Sequence, residues 1–421
     1  MIEVVRSFGS YNKVTRMLMV NQFAINLGFY MLMPYLAGYL SGSLGLAAWT
    51  VGLVLGVRNF SQQGMFLIGG TLADRLGYKP LIVAGCLLRT AGFGLLVFAE
   101  TLPALLIASA ATGFAGALFN PAVRAYLAAE AGERRVPAFA LFNVFYQAGI
   151  LAGPLVGIAL LALDFRVTAA VAAGVFAVLT IGQLAALPAG RGEAVIERAS
   201  VWKDWASITS NHAFIWFAVA MTGSYVLSFQ VYLALPLHAE YISDGAAAPL
   251  VAALFVVNAT VAVVGQLRIT RWFEARFGSR RGLVIGVGTL AVAFVPLLLV
   301  SGPGRFGPAV AIIALLASAT ILAVASAAVF PFEMDTIVAL SGGRLVATHY
   351  GFYNTIVGVG ILLGNLGTGA LLGAAHRAGL DALAWAGLIV IGAITTTALG
   401  LLNRSGALGR AESHTEPLIS T

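Results

Sequence analysis

The feature that most constrains this chain is a succession of long apolar segments separated by short polar turns. Twelve segments, each of 20 residues or more, follow one another along the 421 residues. A helix needs about 20 mainly apolar residues to cross a bilayer, and helices satisfy their own backbone hydrogen bonds in lipid. We therefore predict an all-α membrane protein with spanning helices at 14–40, 49–73, 80–99, 102–127, 138–162, 167–188, 213–238, 248–271, 282–301, 306–330, 346–374 and 381–402.

Charge agrees with this map in both amount and distribution. Only 10% of the residues are charged, against about 25% in soluble domains, so most of the surface must face lipid or protein. With a cytoplasmic N-terminus, nineteen of the 24 basic residues fall inside and three outside. Basic residues orient membrane helices in this way. We predict twelve spans, both termini in the cytoplasm, and a multi-pass protein of the cell membrane.

The turn between the second and third predicted spans is unusually rich in charge and glycine. It contains Gly70, Asp74, Arg75, Gly77 and Lys79. The glycines permit a tight turn and close helix approach. Asp74 can accept hydrogen bonds from the first amides of another helix, and Arg75 can pair with a carboxylate such as Glu130. We call these six residues the predicted latch, because such contacts would hold the cytoplasmic side closed.

The pattern Gly-x-Leu-Ala-Asp-Arg-x-Gly-x-Lys at residues 70–79 resembles the loop signature of the major facilitator superfamily. Tyr78 departs from it, at a place that is usually basic. The resemblance implies a secondary transporter with two pseudo-symmetric six-helix bundles, which exposes a site near the middle of the membrane to each side in turn. It also implies a small-molecule substrate.

An internal repeat agrees with two bundles. Gly149-Ile150-Leu151-Ala152-Gly153 recurs 211 residues later as Gly360-Ile361-Leu362-Leu363-Gly364, so the fifth span matches the eleventh. Chance is the alternative, since glycine and leucine are abundant. We predict an N-terminal bundle at 1–188, a cytoplasmic linker at 189–212 that contains an amphipathic helix, and a C-terminal bundle with a short tail at 213–421.

The fifth span has a second family pattern. Gly149, Gly153, Pro154 and Gly157 are similar to the antiporter motif of exporters, although Ile158 replaces its final glycine. Small residues form a groove for a neighbouring helix, and the proline allows bending. Ordinary helix packing would explain the glycines alone. The motif favours export and resembles the twelve-helix drug/proton antiporters, but the arginine and glutamine of their fourth span are missing from residues 109–116.

Two arginines, Arg58 and Arg89, lie near the middle of their predicted spans. A charge at that depth is costly, so each should face protein or water. They either attract anionic groups or are structural arginines, for which Gln62 is a partner for Arg58. Polar and aromatic residues within spans predict a substrate cavity formed by Asn26, Tyr30, Arg58, Gln62, Asn143, Tyr146, Gln147, Tyr225, Asn258, Tyr353 and Asn354.

Proton coupling requires a titratable group, yet no carboxylate falls in the middle of a predicted span. The candidates are Glu333, Asp335 and Asp74. Glu333 and Asp335 are close in sequence, and like charges can raise one pKa. A structural network of ion pairs near the cytoplasm is the alternative for both.

We therefore expect proton-coupled efflux of small amphipathic compounds, with a dedicated exporter or importer of one metabolite, including an anionic one, as the alternative. An enzyme is disfavoured, because there is no His-Glu-x-x-His helix, nucleophile motif or Walker loop. A channel or receptor would not explain the repeat together with the loop. The single cysteine, Cys86, excludes a disulfide framework. We expect a monomer in the bilayer without cofactor, metal or nucleic acid.

Overall fold

The computed structural model describes residues 2–46, 48–188, 200–243, 248–302 and 307–408, in which every regular element is helical. The chain forms two compact units. The first contains Met1–Ser207 and Arg344–Thr355, and the second contains Ile208–Gly343 and Ile356–Thr421. Parts of the predicted linker and tail, at 189–199 and 409–421, lie outside the described residues. The predicted limits of the bundles and linker stay predictions.

The first unit consists of helices that correspond to the first six predicted spans, preceded by a short amphipathic helix. They are α1 (Ile2–Gly9), α2 (Lys13–Tyr30), α3 (Met33–Gly38), α4 (Ala48–Gln63), α5 (Phe66–Leu76), α6 (Tyr78–Phe98), α7 (Leu102–Ala131), α8 (Arg135–Leu161) and α9 (Phe165–Ala186). A further helix, α10 (Val201–Ser210), follows at the change from the first unit to the second. It falls in the segment where an amphipathic helix is predicted.

The second unit is built in the same manner from the later spans. Its helices are α11 (His212–Ser228), α12 (Ala234–Ile242), α13 (Ala248–Thr260), α14 (Gln266–Val292), α15 (Val295–Leu299), α16 (Pro308–Ser341), α17 (Val346–Arg377) and α18 (Ala382–Arg404). The first ten residues of α17 belong to the first unit. Gly278, at φ 69°, divides α14 into two helices at a kink.

The twelve predicted spans are confirmed. Eight helical segments among the described residues are long and apolar enough to cross a membrane, and two of them, Leu102–Leu161 and Pro249–Leu299, each contain two predicted spans. The first two spans are not among the eight, and both are interrupted: a helix of the first ends at Tyr30, and a helix of the second ends at Gln63. The break after Tyr30 precedes a helix with proline in its first turn, where a missing amide costs nothing.

The two units share one packing pattern. In the first unit, α6 packs against α7 and α9, α4 packs against α7, and α2 packs against α9. In the second, α14 packs against α16 and α18, α13 packs against α16, and α11 packs against α18. Each pair in the second unit lies six spans after its counterpart, as the predicted duplication requires.

Candidate functional site

Asp74 lies at the end of α5, directly after the second predicted span, and its carboxylate binds the start of α17. One oxygen accepts the amide of Ala347 at 3.1 Å. The other accepts both the amide and the hydroxyl of Thr348, each at 2.6 Å. The first amides of a helix lack intrahelical partners and carry partial positive charge. A buried carboxylate that accepts from two such amides and a hydroxyl is therefore a strong helix cap.

Glycines allow α5 and the start of α17 to approach this closely. An added Cβ at Gly70 would lie 2.2 Å from the carbonyl oxygen of Ala347, and one at Gly351 would lie 2.5 Å from that of Phe66. On the other face of α5, a Cβ at Gly69 would lie 1.9 Å from the Ala117 carbonyl oxygen in α7. Backbone therefore packs directly on backbone on both faces of α5.

Burial also changes the acidity of this carboxyl group. The side chain of Asp74 is 5% exposed, and removal from water raises its pKa to about 6. The hydrogen bonds from Thr348, Ala347 and Tyr78 favour the charged form and oppose this rise. Asp74 therefore titrates closer to neutral pH than an ordinary aspartate does.

The other predicted latch residues bind neighbouring elements of the first unit. Arg75 pairs with Asp204 of α10 at 2.6 Å. Lys79 donates to the carbonyl oxygens of Leu184 and Leu187, at 3.0 Å and 2.6 Å, and so caps the C-terminal end of α9. Gly77, at φ 90°, forms the turn between α5 and α6, where only glycine is unstrained.

Two contacts of this region were not predicted from the sequence. Arg75 pairs with Asp204, and Glu130 accepts from Asn12 at 2.8 Å. A contact between Arg75 and Glu130, which sequence reasoning placed there, stays a prediction. The indole of Trp205 donates to the hydroxyl of Thr71 at 2.9 Å. Both involve α10, whose return to α5 leaves no local signal in the sequence.

The antiporter-like motif forms the contact between α8 and the first span. An added Cβ at Gly149 would lie 2.4 Å from the Phe23 carbonyl oxygen, and one at Gly157 would lie 2.1 Å from that of Met31. Between them, an added Cβ at Gly153 would lie 2.7 Å from the Cβ of Tyr30. All three glycines therefore face one helix edge.

Two hydrogen bonds hold the same contact. Asn26 donates to the carbonyl oxygen of Tyr146, and Tyr35 donates to that of Pro154, each at 2.8 Å. Polar side chains commonly join helices in membranes by such bonds. The Tyr35 bond therefore joins the first span to α8 at the proline of the motif.

The two mid-span arginines share one aromatic ring. The guanidinium carbons of Arg58 and Arg89 lie 4.5 Å and 4.6 Å from the ring centroid of Phe29. Arg89 is 3% exposed and also lies near Phe119 and Phe176. Cations are attracted to the faces of aromatic rings, more strongly when they are removed from water. The described residues offer neither arginine a carboxylate partner.

Arg58 has the predicted partner. It donates to the side-chain oxygen of Gln62 at 2.8 Å and to that of Asn59 at 2.7 Å. The ring of Tyr30 contacts that of Phe29, with centroids 5.2 Å apart. Half-buried Tyr30 and Gln62 thus lie beside the arginines in the first unit, and Tyr146 is half-buried in α8.

The remaining predicted cavity residues are distributed differently. Asn143 and Tyr353 are buried, and Asn354 donates to the Tyr350 carbonyl oxygen of its own helix at 2.6 Å. Gln147 is half-buried in α8. Asn258 belongs to the second unit and is half-buried. Their role in a substrate cavity stays a prediction.

In the second unit, a buried carboxylate meets a tyrosine. Tyr225 of α11 donates to an oxygen of Glu333 in α16 at 2.6 Å. Glu333 is 3% exposed, whereas Asp335, two residues later, is half-buried. The helix α16 is 34 residues long and continues to Ser341. Glu333 therefore lies within a continuous helix, further from its end than the predicted span 306–330 suggested.

These features define a class, the helical membrane transporters built from repeated six-helix units. The Major Facilitator Superfamily model matches residues 18–365, and the chain belongs to that superfamily. It is thus a multi-pass integral membrane transporter of small molecules, as the loop signature predicted.

Individual relatives give further detail. An uncharacterised MFS-type transporter of Mycobacterium tuberculosis is 62% identical over 396 residues, which cover 94% of each chain. The Multidrug resistance protein MdtH of Photorhabdus laumondii is 30% identical over 95% of each chain. The Escherichia coli fucose:proton symporter FucP superposes with a TM-score of 0.70 over 92% of this chain and 98% of its own. Its sequence identity is 14%, so this likeness concerns the fold alone.

Proposed function

We propose that this transporter exports small amphipathic compounds from the cell in exchange for protons, by alternating access. It would lie in the cell membrane as a monomer with both termini in the cytoplasm. Two observations support export. The fifth span has the glycine and proline pattern of exporters, packed on the first span, and a relative at 30% identity is named as a multidrug resistance protein.

The observation that carries the proton coupling is the buried Glu333. Carboxylates in spanning helices are rare and commonly serve as proton relays. Glu333 accepts a hydrogen bond from Tyr225 at 2.6 Å in the second unit. A carboxyl group held in this way can bind a proton when it is shielded from water and release it when water reaches it. Asp335 and Asp74 are the other groups that we propose for this role.

We further propose that the predicted latch stabilises one end state of the transport cycle. Its support is the cap that Asp74 forms on α17, together with the backbone contacts at Gly70 and Gly351. Hydrogen bonds to a charged group contribute roughly 1.5–3 kcal/mol, which is the size needed to bias a two-state equilibrium by tenfold or more.

Coupling is tested in proteoliposomes with ethidium, a lipophilic cation, as the probe. We expect a pH gradient to drive ethidium transport by the wild type. Glu333→Gln should abolish the driven transport and retain counterflow, in which labelled and unlabelled ethidium exchange without net proton movement. Tyr225→Phe should shift the pH dependence and keep the maximal rate within a few fold.

Asp335→Asn is the matched control, because it removes a carboxylate two residues away on the same helix. If Asp335→Asn alone loses the driven transport, the proton role moves to Asp335. If both variants keep it, neither residue couples protons and this part of the proposal is wrong. If the wild type shows no counterflow with ethidium or other lipophilic cations, the substrate class is wrong.

A second candidate function is transport of one anionic metabolite, and one observation favours it. Arg58 and Arg89 share the Phe29 ring and have no carboxylate partner among the described residues. Two positive groups in this region would attract a carboxylate and repel a cation.

Thermal stabilisation of the purified protein separates the two functions. Benzoate should stabilise the wild type if the site accepts anions, and Arg58→Gln should abolish that effect. Stabilisation by ethidium that is unchanged in Arg58→Gln, without any effect of benzoate, would exclude the anionic candidate.

A further inference from the structure

A second basic loop follows the eighth predicted span, and it borders a cavity. Gly278 divides α14, and Arg280 and Arg281 stand at the beginning of the helix that continues to Val292. The cavity has a volume of about 920 Å³. Its lining comes from this loop and from the end of α18, and consists of Phe277, Gly278, Ser279, Arg280, Arg281, Val284, Ile285, Gly400, Asn403 and Arg404.

The corresponding place in the first unit is filled. There the start of α6 lies beside the end of α9, and Lys79 reaches across to the carbonyl oxygens of Leu184 and Leu187. In the second unit the start of the helix after Gly278 lies beside the end of α18, which is the same pair of spans. Arg404, at the end of α18, adds a positive charge there instead of offering an acceptor.

The charge of this cavity is of one sign. Three guanidinium groups line it and no carboxylate does. Arg281 and Arg404 have no carboxylate partner among the described residues, and both side chains are exposed. Positive charges that line one cavity repel one another unless an anion lies between them. Arginine binds phosphate oxygens through paired N–H groups, which makes phosphate the anion of best fit.

The cavity also has an apolar side, which a soluble anion would leave uncovered. Phe277, Val284 and Ile285 contribute hydrocarbon to the lining. Ile285 is 38% exposed. It belongs to a predicted span, so we expect it to face lipid. A ligand with a phosphate at one end and hydrocarbon chains at the other matches both parts.

We propose that this cavity binds the headgroup of an anionic phospholipid of the cytoplasmic leaflet. The phosphate lies between Arg281 and Arg404, and the acyl chains follow the exposed apolar residues of the two helices. Basic pockets between membrane helices on the cytoplasmic side are suited to such headgroups. The site does not depend on the identity of the substrate, and its place in the cytoplasmic leaflet rests on the orientation proposed above.

The test uses purified, delipidated full-length protein in detergent. Native mass spectrometry counts bound lipid after addition of phosphatidylglycerol or phosphatidylcholine with identical acyl chains. We expect phosphatidylglycerol to bind the wild type at least tenfold more tightly than phosphatidylcholine. Each arginine near an anionic headgroup contributes about 1 kcal/mol, which is about a fivefold change in affinity. Arg281→Gln combined with Arg404→Gln should therefore weaken phosphatidylglycerol binding by about tenfold or more.

The matched control is Arg6→Gln combined with Arg276→Gln, which removes two exposed arginines outside the cavity. We expect this control to keep the affinity of the wild type. The melting temperature without lipid, measured for both double variants, shows whether each remains folded. Equal losses in both double variants would mean a general charge effect and would overturn the site.

Inorganic phosphate separates a lipid site from a site for a soluble anion. We expect millimolar phosphate neither to raise the melting temperature of the wild type nor to displace phosphatidylglycerol. Stabilisation by phosphate alone that is lost in Arg281→Gln/Arg404→Gln would overturn the lipid assignment in favour of a soluble anion. Equal binding of phosphatidylcholine and phosphatidylglycerol would overturn the role of charge.

Discussion

The loops at 70–79 and 271–280 occupy matching places in the two halves of the chain, and their basic residues have different surroundings. At an offset of 201 residues, Arg75 matches Arg276, Gly77 matches Gly278 and Lys79 matches Arg280. In the first loop the basic residues have partners within the protein, namely Asp204 for Arg75 and two carbonyl oxygens for Lys79. In the second, arginines line an open cavity.

The difference lies in two positions that the second loop has changed. The counterpart of Gly70 is Arg271, and the counterpart of Asp74 is Ala275. An arginine cannot permit the backbone contact that Gly70 makes with Ala347, and an alanine cannot cap a helix. The comparison teaches that positive charge alone does not make a helix-to-helix contact of this kind. The glycine and the aspartate do, and the first variants below remove them.

The largest effect is expected from Gly70→Ala. Its methyl group would lie 2.2 Å from the Ala347 carbonyl oxygen. The other face of α5 packs on the backbone at Ala117, so α5 cannot move away from α17. We expect destabilisation of about 3 kcal/mol or more, measured as a fall in melting temperature of the purified protein. Gly278→Ala has open space around it and a φ of 69°, so it should cost only about 1 kcal/mol. Equal falls for the two would contradict the close packing described for α5.

The second effect is a pH dependence that belongs to Asp74. Its pKa is about 6 when it caps α17 and near 3.9 when exposed to water. Between these values the capped state holds a proton that the open state has lost, so acidification favours the capped state. From pH 7 to pH 5 the contact should strengthen by about tenfold. Hydrogen exchange at the Ala347 and Thr348 amides, corrected for intrinsic rates, measures this.

Asp74→Asn is the control for that measurement. The amide side chain keeps the shape of the carboxyl group and does not titrate, so protection of the two amides should become independent of pH. The same pH dependence in Asp74→Asn would assign the titration to another group.

A smaller effect is expected from Lys79→Met. It removes two hydrogen bonds, at 3.0 Å and 2.6 Å, from the carbonyl oxygens at the end of α9. We expect a loss of roughly 1–2 kcal/mol, seen as a fall of a few degrees in melting temperature. Arg281→Met, a change in the second loop, should alter the melting temperature less, because Arg281 is exposed and has no carboxylate partner among the described residues. A larger fall for Arg281→Met would reverse the comparison between the loops.

The smallest effect is expected from Arg75→Gln. The side chain of Arg75 is 30% exposed, and water screens its pair with Asp204. We expect less than about 1 kcal/mol, measured by thermal unfolding at low and at high salt. Asp204 is buried and would be left without this charged partner. A loss of several kcal/mol in the free energy of unfolding would contradict the expectation and show that the pair is insulated from solvent. Arg276→Gln should leave stability unchanged.

Sequence reasoning succeeded where the signal is local. Hydropathy is a property of about 20 consecutive residues, and it gave the twelve spans. The loop at 70–79 indicated that Asp74 would meet the amides at a helix start, and the structure has that geometry with Ala347 and Thr348. Nothing in the sequence identified α17 as the helix concerned, because the two segments are separated by more than 270 residues.

The parts that escaped sequence reasoning depend on pairs of distant residues. Asp204 binds Arg75, and α18 brings Arg404 beside the second loop, through packing that has no local pattern. The interruptions of the first span had signals in Pro34 and the glycines near it, but a long apolar run outweighed them. The motif glycines were predicted to form a groove for a neighbouring helix. The residues of the first span that pack into this groove were not predicted.

Phe29 has a consequence for how selectivity can change in this protein. Both mid-span arginines, Arg58 and Arg89, use the same ring, so the electrostatic surroundings of one are altered whenever the other is replaced. Single substitutions at 58 and 89 should then fail to add in a double-mutant cycle. Replacement of Phe29 by leucine, which changes no charge, should reduce that coupling. The neutral residue at position 29 would thus determine how strongly the effects of substitutions at 58 and 89 depend on each other. Related sequences that differ at position 29 should also differ at positions 58 and 89.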